Sequence, residues 1–309
     1  EIPLRLVGSE MCIRDRERTG LNMELSDYVS FGLADKNGFL TNAGKLLADQ
    51  HIVFNSRIFC TRWNGIERGS IFDDALDDKE YEGNLIYLLK NGSEFIRNNS
   101  KTRFIKEAQY RVDKPDYAER AVTEAVVNAL IHRDYIVLGS EIHIDMYDDR
   151  VEIVSPGGMF EGEPVQECDI NTMRSVRRNP VIADLFHRMK YMERRGSGLR
   201  KIVSETEKLP GYREELKPEF FSTSCDFKVV LKNINYHQDN HQDRNVTSQK
   251  VTEFCTEPKS IKEIIEFFGY KDRRSFNLRY IKPLLDEGKL KMTIPEKPRS
   301  RNQKYITVK

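Results

Sequence analysis

The sequence predicts an α/β layer followed by a small, basic helix-turn-helix unit, and three observations carry that prediction. Helix-like and strand-like patterns alternate along the first half of the chain; a mostly apolar helix is followed by a hairpin after Tyr117; and residues 259–309 repeat the alternation on a strongly positive background. In residues 38–48, GFLTNAGKLLA, Thr41 is placed to cap a short helix. SRIFCTRWNG, residues 56–65, reads as a strand, and GNLIYLLKNGSEFIRNNS, residues 83–100, has helical spacing. A helix is predicted over 118–132, then strands over 142–147 and 150–154 about an Asp148-Asp149 turn, with Ser155-Pro156-Gly157-Gly158 breaking the second strand. Asn179-Pro180 starts a helix that runs to Met189; the loop 193–197 follows, and another helix opens at Gly198. A strand over 223–231 would close the layer.

The totals narrow the class of protein. With 309 residues, 39% of them hydrophobic and 32% charged, the chain is long enough for two domains with ordinary cores. No apolar run reaches 18 residues and no secretory leader pattern opens the chain, so the expected location is the cytoplasm, with no membrane contact. The five cysteines, Cys12, Cys60, Cys168, Cys225 and Cys255, form no CxxC pair or zinc-spaced cluster and read as reduced, structural thiols. Charge is uneven: residues 259–309 carry 14 Lys+Arg against 6 Asp+Glu, net +8, so the remainder carries −7. A basic tail on an acidic body points to a nucleic-acid partner for the tail. NINYHQDNHQDRNVTSQK, residues 233–250, is polar and aperiodic and reads as a linker.

The helix EAVVNALIHRDY raises the sharpest question. On a wheel, Val122, Ala125, Val126 and Ala129 face the expected sheet and Val127, Leu130 and Ile131 fill much of the rest, while Glu124, Asn128 and His132 form one strip about 80° wide. Unpaired polar groups on a buried helix cost several kcal/mol, on the order of the transfer penalty, so the strip either bonds to protein or borders a cavity. An amide oxygen can take one position on a hard Mg2+, and a carboxylate one turn earlier can orient water. His132 reads as a packed or hydrogen-bonded histidine on the strip rather than a nucleophile. Two glycine loops strengthen the cavity reading: Ser155-Pro156-Gly157-Gly158 lets backbone approach a flat ring, and Arg194-Arg195-Gly196-Ser197-Gly198 sets cations and amide donors at a helix start.

EAVVNALIHRDY, VEIVSPGGM, RNPVIADLFHRMKYMERRGSGLRKI and GFLTNAGKLL together resemble bacterial transcriptional regulators that carry a Schlafen/AlbA-type domain and then a GHKL-like ATP-binding domain related to the carboxyl-terminal part of RecG helicase. The resemblance implies a Bergerat-type α/β sandwich with helices on one face of a mixed sheet, binding ATP and Mg2+. By it, Glu124 is the general base, Asn128 the Mg2+ ligand, Gly157 and Gly158 the adenine-side glycine box, and Gly196, Ser197 and Gly198 the phosphate-side box, beside Arg194 and Arg195. Ser155 stands where such sites carry an aspartate for the base, which puts adenine recognition in question. No GxxxxGK[ST] string occurs, which argues against a P-loop helicase motor. The leading stretch LVGSEMCIRDR resembles the translated end of a sequencing-library adapter, so residues 1–16 are expected to be foreign, with the AlbA-type domain cut away before a 17–115 connecting region.

In the tail, EPKSIKEIIEFFGY gives a helix with Ile261, Ile264, Ile265 and Phe268 inward and Gly269 as its stop. DRRSFNLRYIKPLLDEGKL gives a second with Phe276, Tyr280, Ile281 and Leu284 inward, and LKMTIPEKPRSRNQKYITV gives two strands about a basic loop. Arg273, Arg274, Asn277 and Arg279 fall where a recognition helix meets DNA, and Lys297, Arg299 and Arg301 fall in the wing. This stretch is similar to the winged-helix tail of Fic-type and related bacterial proteins. The expected domains are thus 116–232 for nucleotide, 233–256 as linker and 257–309 for DNA, with homodimerisation left open. The leading expectation is an ATP-binding, DNA-binding transcriptional regulator; the alternatives are a nucleotide-blind interaction scaffold and a slow Mg-dependent ATPase.

Overall fold

Apolar residues at alternate positions make the first strand, and everything around the candidate site is laid on it. The computed structural model describes residues 24–309 except 72–73, 107–109, 161–162, 174–175, 194–197, 237–247, 270–272, 298–299, 301–302 and 309, and except the side chains of Ile105, Ser248, Gln249, Arg274, Ser275, Leu278 and Arg279. The expected adapter segment lies outside these residues. The chain divides into two units, Glu1–Asn235 and Tyr236–Lys309.

In the first unit, α1 (Leu25–Ser30) leads to α2 (Asn42–Leu47), whose first turn is capped by Thr41 accepting from the Gly44 amide at 3.2 Å. Strand β1 (Arg57–Trp63) buries Ile58, Cys60 and Trp63. Strand β2 (Ala75–Glu82) pairs antiparallel with it. No sequence pattern marks β2, because ALDDKEYE lacks an apolar face; its register comes from β1, through Arg57 to Glu80 at 2.9 Å and Thr61 to Asp78 at 2.8 Å. Helix α3 (Leu85–Asn98) is capped by Asn84, and Gly92 brings it close to the sheet: a Cβ there would sit 3.2 Å from Ile144 and 3.4 Å from Ile58. A two-stranded ribbon, β3 (Thr102–Lys106) with β4 (Arg111–Pro115), follows, also absent from the sequence reading.

Helix α4 (Glu119–His132) buries Ala121, Val122, Val126, Val127, Leu130 and Ile131. Strands β5 (Ile142–Met146) and β6 (Arg150–Pro156) form the expected hairpin, but β6 passes through Ser155 and breaks at Gly157, where φ is 95°. Next come α5 (Pro180–Arg188), with proline in its first turn, and α6 (Gly198–Glu207). Instead of one strand over 223–231 there are two, β7 (Glu219–Ser222) and β8 (Asp226–Lys232). Thr223 makes the turn between them, its hydroxyl accepting from the amides of Cys225 at 3.0 Å and Asp226 at 3.1 Å. Six strands form one sheet in the order β2-β1-β5-β6-β8-β7, with β1 and β5 parallel and the other neighbours antiparallel, so the fold is a mixed α/β layer.

The first described element of the second unit is α7 (Ser248–Phe254), which lies wholly inside the expected 233–256 linker and corrects it; Val251 is buried there, with Cys255 one turn on, too short a pattern to show a period. Short β9 (Lys259–Ser260) precedes α8 (Ile261–Phe268). The second expected helix comes in three pieces: α9 (Arg273–Phe276), a π turn (Asn277–Ile281) and α10 (Lys282–Asp286). Pro283 has no amide to give the carbonyl four residues back, which accounts for the widened turn. Strands β10 (Leu290–Met292) and β11 (Lys304–Thr307) join β9 in the order β10-β11-β9. No helix among the described residues is long and apolar enough to cross a membrane.

Candidate functional site

The polar strip of α4 meets α6 at Gly198, where the helices come close. A Cβ on Gly198 would lie 2.8 Å from Asn128 Nδ2 and 3.1 Å from Glu124 Oε1, so the bare residue lets the helix start lie against both side chains. Glu124 is only 4% exposed. Burial pushes its carboxyl above the usual range, and the Lys201 ammonium from α6, 3.3 Å from Oε2, partly opposes that. Lys201 also reaches Glu193 at 3.5 Å. Asn128 Nδ2 is buried and has no hydrogen-bond partner among the described residues. His132 is held neutral: burial lowers its pKa to about 4, and the positive charges of Arg178 and Arg177 add to the effect.

The Gly157-Gly158 pair is packed more closely still. The Gly157 amide donates to the Cys225 carbonyl at 2.7 Å, and a Cβ on Gly158 would fall 1.9 Å from the Thr223 carbonyl oxygen. Arg178 pins the loop, donating to the Gly158 carbonyl at 2.8 Å and to the Asp134 carboxylate at 3.1 Å. The Ser155 hydroxyl donates to the Ala129 carbonyl at 2.8 Å, satisfying an acceptor in the last turn of α4. Ser155 therefore acts on the helix end and leaves only its lone pairs for anything else.

These residues surround a cavity of about 680 Å³, within the range of small-molecule sites. Its wall includes Glu124, Asn128, His132, Ser155, Gly157, Gly158 and Gly198, so every described residue expected at the nucleotide lines one hollow. Arg194, Arg195, Gly196 and Ser197 lie outside the described residues. Its lining is partly apolar, with Met159, Phe160, Met173, Val176 and Phe227, and partly acidic, with Glu163, Glu167, Asp169 and Glu193. Lys201 and Arg178 were not anticipated. Lys201 lies three residues past Gly198, so helical spacing alone sets it on the same face as that glycine; Arg178, ahead of a helix start, had no such signal.

Among the described residues no group of three or more His, Cys, Asp and Glu side chains is arranged to hold a metal. In the second unit Arg273, Asn277 and Lys297 are exposed. The side chains of Arg274 and Arg279, and Arg299 and Arg301 as a whole, lie outside the described residues.

Residues 139–231 match the family described as "Putative ATP-dependent DNA helicase recG C-terminal", which gives the first unit an ATPase-like domain. Residues 249–307 match "Filamentation induced by cAMP protein Fic-like, C-terminal domain". The first match begins beyond α4 and does not include Glu124 or Asn128. No curated protein matches the chain. The crystal structure of the DIP2311 protein from Corynebacterium diphtheriae is similar in fold, with a TM-score of 0.60 at 16% identity, covering 99% of this chain and 62% of that one. The chain thus spans less than two thirds of that protein.

Proposed function

We propose that the cavity takes ATP with Mg2+ in a GHKL-like site, and that the C-terminal unit is a winged helix that holds DNA, so that the chain is a nucleotide-responsive, DNA-binding transcriptional regulator. The observation that carries the nucleotide part is the buried Asn128 Nδ2 donor, which has no partner among the described residues, beside a buried carboxylate and opening on a hollow edged by Gly157, Gly158 and Gly198. Leaving such a group unsatisfied costs about 1–3 kcal/mol, so its presence is best explained by a ligand that completes it.

The lining also fits the metal. Five carboxylates, Glu124, Glu163, Glu167, Asp169 and Glu193, face it with Arg178 as the cation among its described residues, so a polyphosphate needs a counter-cation to enter. Mg2+ keeps most of its waters and binds through few protein oxygens together with phosphate, which suits Asn128 Oδ1 as a single ligand. Bound there, it would neutralise phosphate charge. Glu124, its carboxyl raised by burial, is placed to take a proton from water, and this supports the slow-ATPase reading. Ser155 bears on the rival reading, a scaffold that ignores nucleotide: with its hydrogen given to Ala129 it can accept from the amino group of a base only through one neutral oxygen, a weaker acceptor than a carboxylate. DNA binding is supported by the exposed Arg273, Asn277 and Lys297 and by the +8 balance of residues 259–309.

Thermal unfolding with Mg-ATP tests the nucleotide reading. At 100 times its Kd the ligand adds about 2.7 kcal/mol, or roughly 5–10 °C for a unit of this size. No shift, or an equal shift in Asn128→Ala, removes the reading and leaves the scaffold. If the shift holds, phosphate release that Glu124→Ala abolishes without loss of binding establishes the ATPase.

A further inference from the structure

The β3/β4 ribbon stands apart from the six-stranded sheet, and its charges work against its own pairing. Its register sets Arg103 opposite Lys114 and Lys106 opposite Arg111, two like-charged pairs on a ribbon of only two strands. Like charges directly across a ladder destabilise it, and an isolated two-stranded hairpin is marginal to begin with. Residues 101–115 hold five cations against two acids, inside a chain whose first 258 residues sum to −7. Lys101, Arg103, Lys106 and Arg111 are exposed, and so are two aromatics, Phe104 at 55% and Tyr110 at 62%. Arg111 is shared between Asp113, at 2.6 Å, and the face of Phe104, at 4.3 Å.

We infer that this ribbon is a second nucleic-acid contact, which grips the phosphates of a DNA duplex independently of the C-terminal unit and of the cavity. A polyanion removes the cross-strand repulsion that the free ribbon carries, so binding and ribbon stability reinforce one another. Cross-strand partners share a face, so the two pairs, three residues apart along β3, put cations on both faces. Lys106 and Arg111 are exposed on one face and Arg103 on the other, where Lys114 is half-buried beside Gly211; the major groove admits a two-stranded ribbon between its phosphate walls. A second copy of the chain would set positive ribbon against positive ribbon and is disfavoured by the same charges.

Binding of a labelled 20-base-pair duplex by the full chain tests this across a salt series. Arg103→Ser/Lys106→Ser/Arg111→Ser is expected to bind more weakly and to lower the slope of log K against log salt by about 3, one unit per lost phosphate contact. The substitutions relieve repulsion, so unfolding is not the expected cause, and thermal melts check it. An unchanged slope overturns the inference. A tail variant, Arg273→Ala/Asn277→Ala/Lys297→Ala, separates the two claims: loss there alone leaves the winged-helix reading and sinks the ribbon, and loss in the ribbon variant alone does the reverse. Acetylation of the wild-type chain gives an answer without mutation. Lys101 and Lys106 are expected to be shielded by duplex; equal labelling with and without it, or shielding by polyglutamate but not by duplex, refutes the assignment.

Discussion

Helices α8 and α4 are built on opposite terms. In α8 the Ser260 hydroxyl accepts from the Glu263 amide at 3.2 Å while the Glu263 carboxylate accepts from the Ser260 amide at 2.7 Å; Gly269 ends the helix at φ 66°, and Ile261, Ile264 and Phe268 make one buried face. Cap, period and burial agree. Helix α4 starts at Ala118 without a side-chain cap, is buried nearly all round, and still holds a carboxylate at 4% exposure and an amide nitrogen with no described partner. Where local preference and burial conflict in this way, stability is not what selected the residues.

Four measurements can break or sharpen that contrast. The largest effect belongs to the consistent helix: Phe268→Ala should cost about 3–5 kcal/mol in urea unfolding of the second unit, and a loss below about 1 kcal/mol would mean α8 does not anchor its core. His132→Gln comes next, through pH. The folded pKa of His132 is depressed from 6.5 to about 4, so its contribution is present above pH 6.5 and is lost as the pH falls to about 4. The wild type should lose at most about 3 kcal/mol more than the variant across that window, and parallel stability profiles would show that His132 is not held neutral. Ser260→Ala should cost about 1 kcal/mol, as a lost cap does.

The smallest effect has the opposite sign. The folded pKa of Glu124 is raised, so the stability tied to its protonated form is present at acid pH and is lost as the pH rises past the carboxylate range. Glu124→Gln should therefore stabilise the first unit at pH 7, by less than about 1 kcal/mol because Lys201 retains Glu193, and the gain should vanish near pH 4. Destabilisation at pH 7 would make Glu124 a structural group and erase the difference between the two helices.

How much of this was legible in the chain depended on what each residue faces. Helix α4 and the β5/β6 hairpin showed in the sequence because their apolar residues meet one core and keep its period. Strand β2 did not, since its partners Arg57 and Thr61 come from a strand some twenty residues earlier. The β3/β4 ribbon was hidden for another reason: TRFIK and RVDKP hold one aliphatic side chain each, Ile105 and Val112, too few to mark an alternation. At the site, the two glycine loops and the strip could be named one by one, but the Lys201 ammonium between Glu124 and Glu193 needs the packing of α6 on α4 to become visible.

Gly198 ties the shape of the hollow to a residue that carries no charge. With 2.8 Å between the place of a missing Cβ and the Asn128 amide, a methyl there would push that side-chain end from its position while leaving every acid and base intact. A sequence that keeps all the polar groups yet carries alanine at this point would hold the same inventory in a different arrangement.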